Sequence, residues 1–167
     1  GTADSGSSTM TVNVTPVNDA PASSASSVTT NEDTTHTFTA DDFSFTDDDG
    51  DTLSSVTVSA LIGSDGTFLL DGVAITGSTT VSKADIDAGL LTFVPDANEN
   101  GSSYNTFTFT VNDGTADSGS STMTVNVTPV NDAPTSSDAT ININENNQVS
   151  SAGDRTPSNI TYTFSSS

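Results

Sequence analysis

The sequence predicts an all-β sandwich that is repeated head to tail along the chain. Two features lead to this prediction. Val, Ile, Leu and Phe alternate with Thr, Ser and Asn in short runs bounded by Gly, Asn, Asp and Pro, which is the pattern of strands with one buried face. In addition, residues 1–21 recur without a single change as residues 114–134. The chain therefore has an internal period of 113 residues, as tandem repeats do.

Seven strands are predicted within one period, which is the number in an immunoglobulin-like sandwich. They are expected near residues 27–30, 34–40, 53–61, 67–70, 90–94, 104–111 and 121–128. One helical turn is predicted at 82–89, because Ser82 can cap its start and Gly89 can end it. Alternation assigns a set of side chains to the core. These are His36, Phe38, Ala40, Val56, Val58, Ala60, Leu91, Phe93, Phe107, Phe109, Val111, Met123, Val125 and Val127.

The period divides the chain into three segments. Residues 1–16 are predicted to be the last strand of a preceding repeat, 17–129 a complete repeat, and 130–167 the start of a following, variant repeat. At each border, at 16–21 and 129–134, two prolines enclose a junction that is too short to be a flexible linker. We therefore expect consecutive repeats to be held close together, end to end.

The composition narrows the classes of partner. A formal charge of −20 arises from 22 acidic residues against Lys83 and Arg155, which argues against nucleic acid or an anionic membrane and favours cations. Cysteine is absent, so no disulfide or thiolate metal site is predicted. No apolar run of about 18 residues and no basic, then apolar, leader is present, so no membrane insertion is predicted for this segment.

Five motifs follow one another in a recognisable order. They are NED at 31–33, DDDGDTL at 47–53, DIDAGLLTFVP at 85–95, FTFTVNDG at 107–114 and VNDAP at 130–134. Together they resemble the bacterial cadherin-like repeats, also described as VCBS or immunoglobulin-like, of large extracellular adhesins. The resemblance covers the whole of the complete repeat. It implies sandwiches arranged head to tail, Ca²⁺ bound between neighbouring repeats, and a secreted, cell-surface or extracellular location.

The predicted strand order also sorts the acidic residues by end of the sandwich. The loop 47–51 and residues 112–114 are expected at one end, and Glu32, the loop 96–99 and residues 131–132 at the other. Carboxylates about 4 Å apart repel by roughly 4 kcal/mol per pair at an effective dielectric of 20. Ca²⁺ accepts about six to eight oxygen ligands at irregular geometry, whereas Mg²⁺ needs a tighter octahedron and zinc prefers His or Cys.

The resemblance implies ligands at both ends of the repeat. One alternative remains open, in which the acids only solvate the loop ends of a secreted, salt-adapted protein. The ligands implied at the first end are Asp19, Asp47, Asp49 and Asp113, those at the second end are Glu32, Glu99, Asn131 and Asp132, and Asp51, Asp33 and Asp96 are further candidates.

These observations favour a structural protein over an enzyme. The single histidine, His36, lies in an alternating strand, where a core or edge role is the ordinary one. We expect a calcium-stiffened spacer repeat of an adhesin or surface fibre, whose partners are neighbouring repeats. The alternative is a filament-forming subunit, in which the lone strands at 1–16 and 160–164 pair with identical chains by strand addition. A ligand-binding tip would need an aromatic or basic patch that the sequence does not show.

Overall fold

The computed structural model describes residues 1–60, 62–63 and 65–134. The first compact unit is Gly1–Asp132, and all the structure described below belongs to it. The predicted start of a following repeat, including its strand at 160–164, lies mostly outside the described residues.

The described residues form two β-sheets with one short helix. The first sheet has five strands in the order β1-β9-β8-β3-β6, and the second has four in the order β2-β7-β4-β5. All pairs are antiparallel except β1 and β9, which run parallel. The elements are β1 (Ser26–Asn31), β2 (His36–Thr37), a 3-10 turn (Ala40–Asp42), β3 (Ser55–Val58), β4 (Thr67–Leu70), β5 (Val73–Ala74), β6 (Thr79–Ser82), α1 (Lys83–Asp87), β7 (Leu91–Val94), β8 (Gly101–Asn112) and β9 (Ser121–Thr128).

The predicted fold class is confirmed, but the strand count differs. All seven predicted strands are present, and the described part of the chain adds β5 and β6. Neither shows an alternation of buried and exposed residues, since β5 is exposed throughout and β6 buries only Val81. The strand predicted at 34–40 is reduced to β2, because Thr39 is instead the N-cap of the 3-10 turn. Its backbone N–H donates to Asp42 Oδ2 at 2.7 Å, which starts the 3-10 turn.

The core lies between the two sheets and is rich in phenylalanine. Phe38 is in ring contact with Phe43, Phe68 and Phe107, at centroid distances of 5.7, 5.4 and 5.7 Å. Such pairs contribute about 0.5–1.5 kcal/mol each beyond the area they bury. The predicted core side chains are buried, except that His36, Ala40 and Ala60 are only partly so. The prediction missed Val28, Phe43, Leu53, Phe68, Val81 and Ile86, which are also buried.

The predicted helical turn is confirmed as α1. Ser82 is its N-cap, and its hydroxyl accepts a hydrogen bond from the Asp85 backbone N–H at 3.1 Å. The chain leaves the helix at Gly89, whose φ of +73° is left-handed. Ile86 is the one buried residue of the helix, so α1 covers an end of the core between β6 and β7.

The strand register places each loop at one of two ends. In β3 and β8, Ser55 pairs with Asn112, so the loops 47–54 and 113–120 share one end with residues 18–22, where Ala22 bridges Thr46. We call this the proximal end. At the distal end Asn31 of β1 pairs with Thr128 of β9, beside the loop 95–100.

Residues 1–16 are exposed along their length and form no strand. Their sequence is identical to that of 114–129, which includes β9. Met10, Val12 and Val14 are 87%, 76% and 86% exposed, whereas their counterparts in β9 are 0–3% exposed. The assignment of residues 1–16 to a preceding repeat stays a prediction. Within the described ranges, no helix has the length and apolar character needed to cross a bilayer.

Candidate metal sites at the two ends of the sandwich

At the proximal end, one loop gathers three carboxylates. Asp47 Oδ1 accepts hydrogen bonds from the backbone N–H groups of Asp49 and Asp51, at 3.0 and 2.9 Å. These bonds curl the loop, and Gly50 supplies the left-handed φ of +83° that the turn needs. As a result Asp47, Asp49 and Asp51 each present a carboxylate oxygen, and these oxygens all lie within 4.8 Å of one another. We call this group the proximal cluster.

The proximal cluster holds an unsatisfied oxygen. Asp47 Oδ2 is buried and has no hydrogen-bond partner, which is a costly arrangement unless a cation or water supplies one. Ion pairs among the described residues join His36 to Asp42 and Lys83 to Asp87, so neither offsets this cluster. Repulsion within it lies between about 1 kcal/mol per pair in water and about 4 kcal/mol at a protein surface. The donor set therefore fits a divalent cation.

The preceding junction is attached to the proximal end by hydrogen bonds. The backbone N–H of Asp19 donates to Asp49 Oδ2 at 2.6 Å, and Asn18 Nδ2 donates to Asp113 Oδ2 at 3.1 Å. Asp113 Oδ1 also accepts from the backbone N–H groups of Ala116 and Thr115. The bond from Ala116 first, and then those from Asn18 and Thr115, hold the pKa of Asp113 below its usual value. The carboxyl groups of Asp19 and Asp113 are not part of the proximal cluster.

A second group of carboxylates lies at the distal end. Oxygens of Asp65, Asp96 and Glu99 are all within 4.8 Å of one another, and all three residues are exposed. The backbone N–H of Gly66 donates to Asp96 Oδ2 at 3.0 Å, which joins the loop after β3 to the loop after β7. We call these three residues the distal cluster. Three hard oxygen donors, again without His or Cys, fit the same class of cation.

Two side chains position the distal cluster. The Tyr104 hydroxyl accepts from the Asp96 N–H at 3.2 Å and donates to Glu99 Oε2 at 3.1 Å. Burial, with further contributions from the two carboxylates, raises the pKa of Tyr104, so this donor keeps its proton at neutral pH. Asn105 is buried, and its Nδ2 donates to the backbone oxygen of Asp65 at 2.6 Å.

The remaining residues predicted for the distal end are used differently. Glu32 is only 4% exposed, and its carboxylate accepts from Val130 N at 2.5 Å and from Asn100 Nδ2 at 3.0 Å. Asn131 and Asp132 are exposed, and Asn131 Nδ2 donates to the Asp132 carbonyl at 3.1 Å. Of the three carboxylates among the four predicted distal ligands, only Glu99 belongs to a cluster.

The sequence reasoning also missed one residue of the distal cluster. Asp65 was not among the candidates, and Asp96 was only a further candidate. The available signal was the Asp65-Gly66 pair after the third predicted strand, since an Asp-Gly turn there must fall at the distal end. Asp33, another further candidate, accepts from Asn98 N at 3.0 Å through Oδ1.

His36 is a partly buried residue at the edge of the core. Its ring meets that of Phe38 edge-on at 4.7 Å, and its Nε2 lies 3.9 Å from Asp42 Oδ2 without a hydrogen bond. Burial lowers the pKa of His36, and attraction to Asp42 opposes this only in part. The ring is therefore neutral near pH 7, and its contacts are those of a packed side chain.

The molecule is thus a two-sheet β-sandwich of the immunoglobulin type with carboxylates collected at both ends. A family profile described as "Bacterial Ig domain" matches residues 18–128, and the chain belongs to this family. No curated protein and no solved structure matches the chain. Domains of this family are typically structural and not enzymes, and they are usually extracellular or associated with the surface.

Proposed function

We propose that this repeat is a calcium-stiffened spacer of a long extracellular adhesin or surface fibre, with Ca²⁺ bound at the ends where repeats meet. The observation that carries the proposal is the buried, unpartnered Oδ2 of Asp47 within the proximal cluster. The attachment of the Asp19 N–H to Asp49 supports it, because an ion there would sit beside the junction. The resemblance to cadherin-like repeats and the family membership point in the same direction.

The residues present prepare the site before any ion binds. Asp47 Oδ1 fixes the loop through two N–H groups, and Asp49 keeps the junction against that loop. When bound, Ca²⁺ would supply the positive charge that the clustered carboxylates lack. At an extracellular type of dissociation constant, about 10⁻⁴ to 10⁻³ M, a tenfold excess of free ion stabilises the folded state by about 1.4 kcal/mol per site.

The two clusters would give each repeat an ion at either end. The distal cluster is attached to Tyr104 and Asn105, and β8 reaches the proximal end at Asn112, so the clusters are separated by about 25 Å along the strand. At this distance the charges of one cluster are screened from the other at physiological salt. We therefore expect the two sites to bind independently.

The main rival is that the acids only solvate the loops. The two explanations differ in ion specificity, because screening responds to ionic strength, whereas a site responds to Ca²⁺ itself. Thermal melts of the chain in CaCl₂, in MgCl₂ and in NaCl of equal ionic strength, each compared with chelator, separate them. We expect Ca²⁺ to raise the melting temperature well beyond the other two salts.

Two double variants make this test specific to the proximal cluster. Asp47→Asn with Asp49→Asn removes two charges from the cluster, and the calcium-specific rise should fall to what the distal cluster provides. Asp41→Asn with Asp48→Asn removes two charges from exposed positions outside the cluster, and the rise should be unchanged. Equal rises in all three proteins, or no rise in any, would leave solvated loops as the explanation.

A second candidate is a filament-forming subunit that polymerises by strand addition between identical chains. In the described residues, such addition would exchange β9 of one chain for residues 8–15 of another. It is favoured by the exposed Met10, Val12 and Val14, since residues 8–15 have the sequence of β9. One argument weighs against it. Each chain carries two copies of this strand and one position between β1 and β8, so exchange leaves the number of paired strands unchanged.

Light scattering over a range of concentrations tests the exchange. Polymerisation requires a mass that rises with concentration and returns to that of one chain in Val12→Asp with Val14→Asp. A constant mass of one chain would exclude the second candidate under those conditions.

A further inference from the structure

The buried carboxylate of Glu32 lies outside both the proximal and the distal cluster. It is 4% exposed and receives two neutral donors, Asn100 Nδ2 at 3.0 Å and the Val130 backbone N–H at 2.5 Å. The backbone of Glu32 also extends the β1–β9 ladder, because its N–H donates to the Thr128 carbonyl at 2.9 Å. The buried Glu32 carboxylate therefore accepts a hydrogen bond from the main chain of the junction that leaves the repeat.

The junction that enters the repeat is held by different carboxylates. There the Asp19 N–H donates to Asp49 and the Asn18 side chain donates to Asp113. Both hydrogen bonds join the entering junction to loops of the sandwich that follows it. The hydrogen bond to Glu32, by contrast, joins the leaving junction to the sandwich that precedes it. No residue of the proximal cluster other than Asp49 takes part.

The junction that enters the repeat and the junction that leaves it have the same sequence. Val17, Asn18 and Asp19 are identical to 130–132. Their local conformation is also alike, since Asn18 Nδ2 donates to the Asp19 carbonyl at 2.8 Å and Asn131 Nδ2 donates to the next carbonyl at 3.1 Å. The contacts at the entering junction therefore indicate what the leaving junction does when a second copy of the repeat follows it.

We infer that a Val-Asn-Asp junction between two copies of this repeat is a polar clasp held from both sides without metal. Glu32 of the preceding copy accepts the valine N–H, and Asp49 and Asp113 of the following copy accept the aspartate N–H and the asparagine side chain. The N–H groups of the valine and the aspartate are two residues apart, which is about 7 Å. The Glu32 carboxylate of one copy and the Asp49 carboxylate of the next thus come within about 12 Å of each other.

The clasp deepens the spacer function, on which it rests, because it limits bending at the junction before any ion binds. Of three successive residues, the valine donates to the preceding sandwich and the asparagine and aspartate donate to the following one, and the flanking prolines fix φ on either side. Bending the junction must break a charge-assisted hydrogen bond on one side or the other.

Amide hydrogen exchange of the 167-residue chain in excess chelator tests each half of the clasp. Val130 and Asp19 lie in exposed positions, so protection of their amide hydrogens depends on the bonds to Glu32 and Asp49. We expect both to exchange about tenfold or more slowly than the exposed Asn131 and Asp132. Glu32→Ala should remove the protection of Val130 alone, and Asp49→Ala that of Asp19 alone.

Glu32→Gln covers the case in which the alanine variant does not fold. It replaces the charged acceptor of the Val130 N–H with a weaker, neutral amide, so the protection of Val130 should fall while that of Asp19 is unchanged. Unprotected amide hydrogens in the unchanged protein, or protection that survives these substitutions, would overturn the inference.

A chain that carries residues 17–129 twice in succession tests the assembled clasp, because the whole core lies between Val28 and Val127. Residual dipolar couplings in chelator should report one preferred angle between the two copies. Glu32→Ala in the first copy with Asp49→Ala in the second should abolish that preference. Glu99→Ala in the first with Asp51→Ala in the second removes the same charges from the same ends and should preserve it.

An angle preference that is absent from the unchanged tandem chain, or equally present in the clasp variant, would contradict the clasp. The two proposals fail separately. If calcium gives no specific melting shift but the angle preference persists in chelator, the metal sites are excluded and the clasp is kept. If calcium gives the shift but the angle preference is absent in chelator, the clasp is excluded and the metal sites are kept.

Discussion

At the scale of single residues, Gly66 shows how closely the distal end is packed. Its φ is +79°, and a Cβ at this position would lie 2.4 Å from Phe93 Cζ and 3.0 Å from the Val94 carbonyl oxygen. Its N–H also holds Asp96. The residue therefore links the aromatic core to the position of the distal cluster.

We expect Gly66→Ala to lower the free energy of unfolding by about 2–4 kcal/mol, from backbone strain together with overpacking against Phe93. Gly72→Ala is the matched control, since Gly72 has a similar φ of +75° but nothing within 4 Å of its added Cβ. The control should lose only about 1 kcal/mol. Urea unfolding measures both, and equal losses would show that the contact with Phe93 is not decisive.

His36 makes the stability of the fold depend on pH between about 7.5 and 5.5. Well above pH 6.5 the ring is neutral in the folded and unfolded states alike. Because burial lowers the pKa of the folded state below 6.5, only the unfolded chain binds a proton as the pH falls through that value. The free energy of unfolding should therefore fall on acidification, at no more than about 1.4 kcal/mol per pH unit.

Urea unfolding of the original protein and of His36→Gln across this range checks the assignment. The slope should be smaller in the variant than in the original protein between pH 7.5 and 5.5, because the variant has no imidazole to bind a proton on unfolding. A slope that persists undiminished in the variant would assign the effect to other groups.

At the scale of elements, α1 depends on its N-cap because it is only five residues long. Ser82→Ala leaves the Asp85 N–H without its partner and should lower the free energy of unfolding by about 1 kcal/mol. Ser78→Ala, at an exposed position just before β6, should change it by less than about 0.5 kcal/mol. Thermal or urea unfolding distinguishes the two, and similar losses would contradict the importance of the cap.

The strands differ in how far their sequence reveals them. β8 and β9 could be predicted because Phe107, Phe109, Met123 and Val125 alternate with polar residues over a long run. β5 and β6 could not, since β5 is exposed throughout and β6 buries only Val81, so neither repeats a buried apolar position. Their positions follow from pairing with β4 and β3, which is a property of the sheet.

At the scale of the whole molecule, the first 16 residues should contribute little to stability, because they are exposed and form no strand. Deleting 1–16 should change the free energy of unfolding by less than about 0.5 kcal/mol. Deleting 1–20 also removes the Asn18 and Asp19 contacts with the proximal end and should lower it by about 1 kcal/mol. A large loss from the shorter deletion would show that residues 1–16 pack on the sandwich.

The acidic residues show the same division between what can and cannot be predicted. Strand order correctly assigned Asp47, Asp49 and Glu99 to their ends of the sandwich, because the ends of a strand are set by the alternating pattern. It did not reveal that Glu32 turns inward to the junction while the missed Asp65 joins the distal cluster. The direction of a loop side chain depends on donors from distant parts of the chain, here Val130 and Asn100 for Glu32.

The sequence alone determined the fold class, the 113-residue period and the end of the sandwich at which each acidic loop lies, because alternation and exact repetition are properties of the order of residues along the chain. Only the tertiary structure decided which copy of the repeated 21 residues becomes a strand. Residues 121–128 lie between β1 and β8 and bury their apolar face, whereas the identical 8–15 remain exposed. A single strand satisfies neither its backbone nor its apolar side chains, so its conformation is fixed by the neighbours it finds.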